Sequence, residues 1–204
     1  MGNGPPMIIV VDLDRTLLSK DSFPAWVFFI LRQASTSNPL LFLHILTLLG
    51  LRAFGIINHL TFKKKLMILL DKNDWNELFG KHMSNFTRGK VIELMKKHDE
   101  ATYVLSTAAP IQYVQYLARL LPIQFDFVFA SRIIDMELYD NSGVSKVISF
   151  ENVYKNAKCD LFITDHYQDI PMMKFSARTI LVNPSKETLT LVNSNAISSE
   201  VLWA

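Results

Sequence analysis

The chain alternates between short continuous apolar runs and longer segments whose apolar positions recur at helical spacing. Met7 to Val11 follows Pro5-Pro6 and is short and rich in Ile and Val, which predicts a buried strand rather than a helix turn. The run stops abruptly at Asp12-Leu13-Asp14. Comparable runs at Thr102–Leu105, Phe125–Ala130, Asp160–Thr164 and Thr179–Val182 predict further strands, the last closed by Asn183-Pro184. Arg132 to Tyr139 alternates as a strand or hairpin arm, turned by Asp140-Asn141-Ser142-Gly143.

Between the first two strands the pattern is helical throughout. Asp21 or Ser22 is expected to cap a helix with Pro24 in its first turn, continuing through Ala25–Leu31 and breaking at Ser35–Pro39. Leu40 to Ile57 is apolar on nearly every face, although His44, Gly50, Arg52 and Gly55 interrupt it as a membrane span. It reads as a helix packed in an inserted subdomain, or as one whose face touches lipid or a lipid-like substrate. Phe62–Leu70 is amphipathic. Its triplet Lys63-Lys64-Lys65 is expected to be a solvated face, or to meet anionic headgroups or a substrate phosphate. Asp74 is expected to cap Trp75–Met83, and Thr87–Lys97 puts Val91, Leu94 and Met95 on one face. Later helices are predicted at Ile111–Leu121, Val147–Asn156 and Ile170–Phe175. Strands alternating with helices imply an α/β fold with a mostly parallel sheet covered on both faces.

Composition narrows the classes. At 204 residues the chain buries a full core, and a net charge of +2 with no basic stripe argues against nucleic acid as partner. The one cysteine, Cys159, fits core packing and a reducing, cytoplasmic setting, and no secretory signal is visible. The five histidines show no zinc-ligand spacing, and no nucleotide-binding Gly-rich lysine loop is present.

Polar groups gather at three strand ends: Asp12/Asp14, Ser106/Thr107 and Asp165/Asp169. Lys146 stands before a helix between the last two. The carboxyl ends of strands are where open α/β sheets bind ligands. Acids one residue apart repel unless a proton or cation lies between them, and a hard ion such as Mg²⁺ suits oxygen donors. Alone, Asp12-x-Asp14 reads equally as a solvated turn with Asp14 capping a helix.

Four motifs in this order resemble the haloacid dehalogenase superfamily: Asp12-Leu13-Asp14-Arg15-Thr16, Ser106 after Tyr103–Leu105, Lys146, and Asp165-x-x-x-Asp169. The resemblance covers nearly the whole chain. It implies a Rossmann-like core at 1–20 and 86–204, with an all-helical cap at 21–85 inserted after the first strand, as in the phosphoserine-phosphatase-like branch. Asp21-Ser22-Phe23, Asn38-Pro39-Leu40-Leu41, Ser106-Thr107-Ala108-Ala109 and Asn183-Pro184 further resemble phosphatidylglycerophosphatases of the C type and the phosphatase-like domains fused to some bacterial prenyltransferases.

The resemblance implies Asp12 as nucleophile and Asp14 as general acid and base. Ser106 and Lys146 would bind phosphoryl oxygens, and Mg²⁺ would be held by Asp12, the Asp14 carbonyl and Asp165. Asp169 would orient Lys146 or a metal-bound water, and Thr16 would fix the loop. Arg15 stands where Gly is commonest and reaches outward or toward substrate; Thr107 and Thr164 replace other glycine positions. Asp21 reads as a substrate contact or a plain N-cap, and His166 as a bystander or a substrate contact. Three readings follow: a phosphatase for a lipid-linked or partly apolar phosphate, with peripheral membrane contact through the cap; one for soluble sugar phosphates or biosynthetic intermediates; or an idle phospho-ligand-binding module.

Overall fold

The computed structural model describes residues 6–98, 100–155 and 157–204. The Gly/Asn/Pro-rich start through Pro5, and Asn156 at the expected end of a helix, lie outside them. β1 (Ile8–Val11), β2 (Thr102–Pro110), β3 (Phe127–Ile134), β4 (Glu137–Tyr139), β5 (Cys159–Thr164), β6 (Ser176–Val182) and β7 (Ser199–Leu202) form one sheet in the order β4-β3-β2-β1-β5-β6-β7. Every pairing is parallel except β3–β4. β1 is central and buried on both faces, which accounts for its unbroken Ile/Val run.

Successive β1 side chains point to opposite faces. Ile9 and Val11 join the larger core, with Trp26, Phe79, Val91, Met95 and Tyr113. Ile8 and Val10 join a smaller one, with Phe150, Phe162, Met172, Met173 and Val192. The helices over the larger core are α1 (Ser22–Ser37), α4 (Trp75–Ser84), α5 (Gly89–Lys96) and α6 (Ile111–Leu120), with α2 (Pro39–Ala53) beyond α1 and α3 (His59–Leu69) against β3 and β4. The opposite face carries α7 (Val144–Val153), α8 (Ile170–Phe175) and α9 (Lys186–Ser194).

The chain departs for α1 and returns from α4 along neighbouring paths. Leu18 bridges Thr87, Ser19 N donates to Phe86 O at 2.9 Å, and Arg88 N to Leu17 O at 2.7 Å. Where α4 crosses α6, Gly80 brings the backbones close: a Cβ there would lie 3.0 Å from Leu117 N and 3.1 Å from Tyr116 Cβ. Gly80→Val is therefore expected to destabilise the protein by about 2 kcal/mol through overpacking, measured as a lowered urea midpoint with an unchanged slope.

Several expectations are corrected. α1 continues through Ser35–Ser37 and stops only at Asn38, whose side chain caps α2 by accepting from Leu41 N at 3.0 Å. The hairpin turn is Asp135-Met136, both at positive φ, as a two-residue turn matching strand twist requires. Asp140–Gly143 is instead a loop entering α7, with Asn141 fully buried. α7 begins at Val144, because Gly143 (φ 52, ψ −121) takes a backbone conformation suited to glycine just before it. Asp74 does not cap α4 with its carboxylate; Asn73 Oδ1 accepts from Trp75 N at 2.9 Å. β6 is not the last strand: α9 and β7 follow, the one largely polar and the other a short edge strand.

Lys63 departs furthest from expectation. Lys65 is exposed and Lys64 pairs with Glu137 at 2.7 Å, but Lys63 is buried. Cys159 is packed in the smaller core, and burial pushes its thiol up to about 12.

Candidate active site

The carboxyl ends of β1, β2 and β5 converge at one mouth of the sheet. Asp12 still belongs to the ladder, its N–H donating to Ile163 O at 2.9 Å. The chain then turns sharply through Leu13–Leu17, with Arg15 at φ 57, a left-handed conformation held by a residue other than glycine. Asp12, Asp14, Arg15, Asp21, Thr107, Lys146, Asp165 and Asp169 line one cavity of about 370 Å³. Thr16 and Ser106 are buried and are not among the lining residues.

Lys146, from the first turn of α7, reaches into the centre. Its ammonium lies 2.7 Å from Asp12 Oδ1 and 2.7 Å from Asp169 Oδ2, and Thr164 Oγ1 donates to the same Asp169 oxygen at 2.6 Å. On the other side of Asp12, Thr16 Oγ1 lies 3.5 Å from Asp12 Oδ2 and 3.4 Å from Asp165 Oδ1, so one hydroxyl stands between two carboxylates. Asp14 is held from the helical segment: Oδ1 accepts from Ser22 N, the first residue of α1, at 2.8 Å. Asp21 precedes α1 but does not cap it, since its carboxylate takes Arg15 at 2.6 Å. The carboxylate that meets the helix start is Asp14.

Four carboxylates here face one buried ammonium. Burial alone would lower the Lys146 pKa, yet Asp12 and Asp169 overcome it and hold the group charged. Burial raises the Asp12 pKa against the pull of Lys146, and Asp169 and Asp165 add to the rise. Asp14 is pushed up to about 6, chiefly by burial, and Asp165 also to about 6, by burial and then by Asp169. This excess of negative charge fits a hard divalent cation. No three His, Cys, Asp or Glu side chains among the described residues form a metal-holding group. The carboxylates of this cluster are oxygen donors, the kind that suits Mg²⁺ better than zinc.

A pH dependence follows. A carboxyl whose folded pKa is raised keeps its proton in the fold after the unfolded chain has lost it, so its stabilisation is present at low pH and lost as pH rises through the folded value. In chelator, Asp12, Asp14 and Asp165 should lower the melting temperature as pH rises from about 4 to about 7. His59 and His166, whose pKa values burial lowers, act in the opposite sense with smaller shifts. Calorimetry across that range should show a flatter slope for Asp165→Asn than for the wild type.

Sequence reasoning missed the loop that braces this mouth. Asn141 Nδ2 donates to Ser106 Oγ at 3.2 Å, Thr107 O at 3.2 Å and Phe129 O at 3.0 Å, and Oδ1 accepts from Ser149 Oγ at 2.8 Å. An Asp-Asn-Ser-Gly run carries the composition of an exposed turn, and nothing local marks Asn141 as buried. His166 lines the cavity; its Nδ1 accepts from Gln168 N at 3.2 Å. A second, polar cavity of about 680 Å³ shares Arg15, Asp21, Asp165 and His166 with the first and extends to Lys20, Arg88 and Glu187.

A parallel α/β sheet with this cluster at its carboxyl edge defines a hydrolase of one class. A model of the haloacid dehalogenase-like hydrolase family matches residues 9–174, and the chain belongs to that family. Its fold is similar to that of a protein of unknown function from Bordetella pertussis Tohama I (TM-score 0.76, 17% identity, 97% of this chain and 99% of that one). It is also similar to a phosphoserine phosphohydrolase-like protein from Francisella tularensis subsp. tularensis SCHU S4 (TM-score 0.55, 19% identity, 96% and 94%). A third structure is a phospho-aspartyl intermediate analogue of phosphoserine phosphatase (TM-score 0.57, 16% identity, 97% and 94%). At such identities the likeness is one of fold. No curated protein matches the sequence.

Proposed function

We propose that the protein is a Mg²⁺-dependent phosphomonoester hydrolase working through an aspartyl-phosphate on Asp12. The observation that carries this is the packing of Asp12 between Lys146 and the Thr16–Asp165 pair in a polar cavity. An Asp12 oxygen attacks phosphorus and the ester oxygen departs. Asp14, with its pKa near 6, gives that oxygen a proton and later removes one from the water that cleaves the aspartyl-phosphate. Lys146 and the donors at Ser106–Ala108 hold phosphoryl oxygens, and Asp169 keeps Lys146 in place. Asp12, the Asp14 carbonyl and Asp165 would hold Mg²⁺, which when bound neutralises phosphoryl charge.

Residues 21–85 act in this reading as a cap over the cavity, with 1–20 and 86–204 as the core. Arg15 and Asp21 stand where the two cavities meet and would contact the leaving group, with Thr107 beside the phosphate. A polar second cavity favours a hydrated leaving group over a greasy one.

Lipid enters outside the cavity. α2 buries only Ile45 and Leu48, while Leu40 is 82% exposed and Phe54, in the turn that follows, 85%. No acidic residue occurs between Asp21 and Asp71, a stretch that carries the exposed Arg32, Arg52 and Lys65. An apolar, cationic face of this kind suits peripheral contact with an anionic membrane and a phosphate borne on a lipid-linked headgroup. No helix among the described residues is long and apolar enough to cross a membrane. The alternative, a soluble sugar phosphate or biosynthetic intermediate, is favoured by the polar second cavity.

A phosphate-release panel of lipid-linked and soluble monoesters, run with Mg²⁺ and with chelator, tests the proposal. Release is expected only with Mg²⁺ and faster on lipid-linked esters. Release undiminished by chelator would remove the metal, and preference for the soluble set would remove the lipid.

A further inference from the structure

Lys63 is buried, lies on α3 and has no part in the chemistry above. Its ammonium donates to Ala108 O, to Ser131 Oγ at 2.9 Å and to the Asp140 carboxylate. These partners come from the end of β2, from β3 and from the loop before α7, each far from Lys63 in sequence. An ammonium loses several kcal/mol of hydration on burial, and an apolar side chain of similar size often serves stability as well or better. Stability alone gives no reason for a charge here.

The contacts continue inward. Ser131 Oγ donates to Ala108 O at 2.7 Å and accepts from Asn141 N at 3.0 Å. Asn141 then holds Ser106 Oγ and Thr107 O, and takes the hydroxyl of Ser149 on α7, the helix that carries Lys146. Because Ser106 Oγ accepts from Asn141, its own proton is left to donate.

We infer that Lys63 is a positioning residue. Through Asp140, Ser131 and Asn141 it ties the seating of α3 to the alignment of Ser106, Thr107 and Lys146, so that the phosphate-binding groups are in register only when this helix is docked. The inference rests on the hydrolase reading. Misplacement of catalytic groups by about 1 Å costs rates roughly 100-fold.

Lys63→Met should therefore lower kcat on p-nitrophenyl phosphate with saturating Mg²⁺ by roughly 10- to 100-fold. KM should change little, and affinity for orthovanadate should fall in parallel with kcat. Ser131→Ala, which cuts a single link and should fold if Lys63→Met does not, should lower kcat about threefold, a fraction of that loss. Gly80→Val serves as the control, losing stability while its folded fraction keeps the wild-type kcat.

Wild-type kcat in folded Lys63→Met, or in Ser131→Ala where Lys63→Met does not fold, would overturn the inference and leave the hydrolase intact. A kcat loss equally large in Gly80→Val would also overturn it. Wild-type protein that hydrolyses no phosphomonoester would bring down the hydrolase reading and the inference together.

Discussion

Asp12→Asn is expected to abolish turnover, by a factor on the order of 10⁴ or more, because an amide oxygen cannot replace the carboxylate as nucleophile. The fold should survive. The substitution is nearly isosteric, and it removes one negative charge from a cluster in which burial, Asp169 and Asp165 already press Asp12 toward its protonated form. In chelator the variant should melt no lower than the wild type near neutral pH. Intact-mass spectrometry of acid-quenched protein under turnover should find a phosphorylated species in the wild type and none in Asp12→Asn. Hydrolysis within tenfold of wild type would remove Asp12 as nucleophile.

Lys146→Met should be the most damaging single change to stability. The ammonium bridges Asp12 and Asp169, at 2.7 Å from each. Removing one member of a buried ion pair leaves uncompensated charge and costs about 3–5 kcal/mol. For a chain of this size that lowers the melting temperature by roughly 10 °C. The loss should grow with pH. At low pH the orphaned carboxyls are protonated in the folded and unfolded chain alike, whereas near neutrality the fold must keep protons that the unfolded chain has released, at a cost that rises with pH. The double variant Asp12→Asn/Lys146→Met should recover part of the loss, since the amide leaves one buried carboxylate fewer. A Lys146→Met protein that melts with the wild type at every pH would show that the three groups do not share this ion pair in solution.

Most of the residues gathered at this mouth could be picked out before any fold was known, for a local reason. Asp12 and Asp165 each follow an apolar run and lie at strand ends on the same edge of a parallel sheet, whereas β2 runs on through Ser106 to Pro110. Asp14 reads in the sequence as a motif acid, and its bond to the start of α1 agrees with the competing view of it as a helix cap. Lys63 shows the opposite case. Three consecutive lysines look alike in sequence, and only the docking of α3 against β3 and the α7 loop separates a buried one from its exposed neighbours. Asn141 is similar: its side-chain hydrogen bonds reach residues as far back as Ser106, and nothing adjacent announces them. α9 and β7 escaped notice because a polar helix and a four-residue edge strand present little apolar pattern to detect.

By itself the sequence determined the strand–helix alternation, the helical insertion after β1 and the acids that follow β1 and β5, because backbone periodicity and side-chain chemistry are properties of neighbours along the chain. Only the tertiary structure decided which lysine is buried, which asparagine braces Ser106, that Asp14 meets α1, and that the apolar α2 remains largely uncovered. Those outcomes depend on which distant surfaces meet, and burial changes the energy of a charge or an amide by more than any local preference.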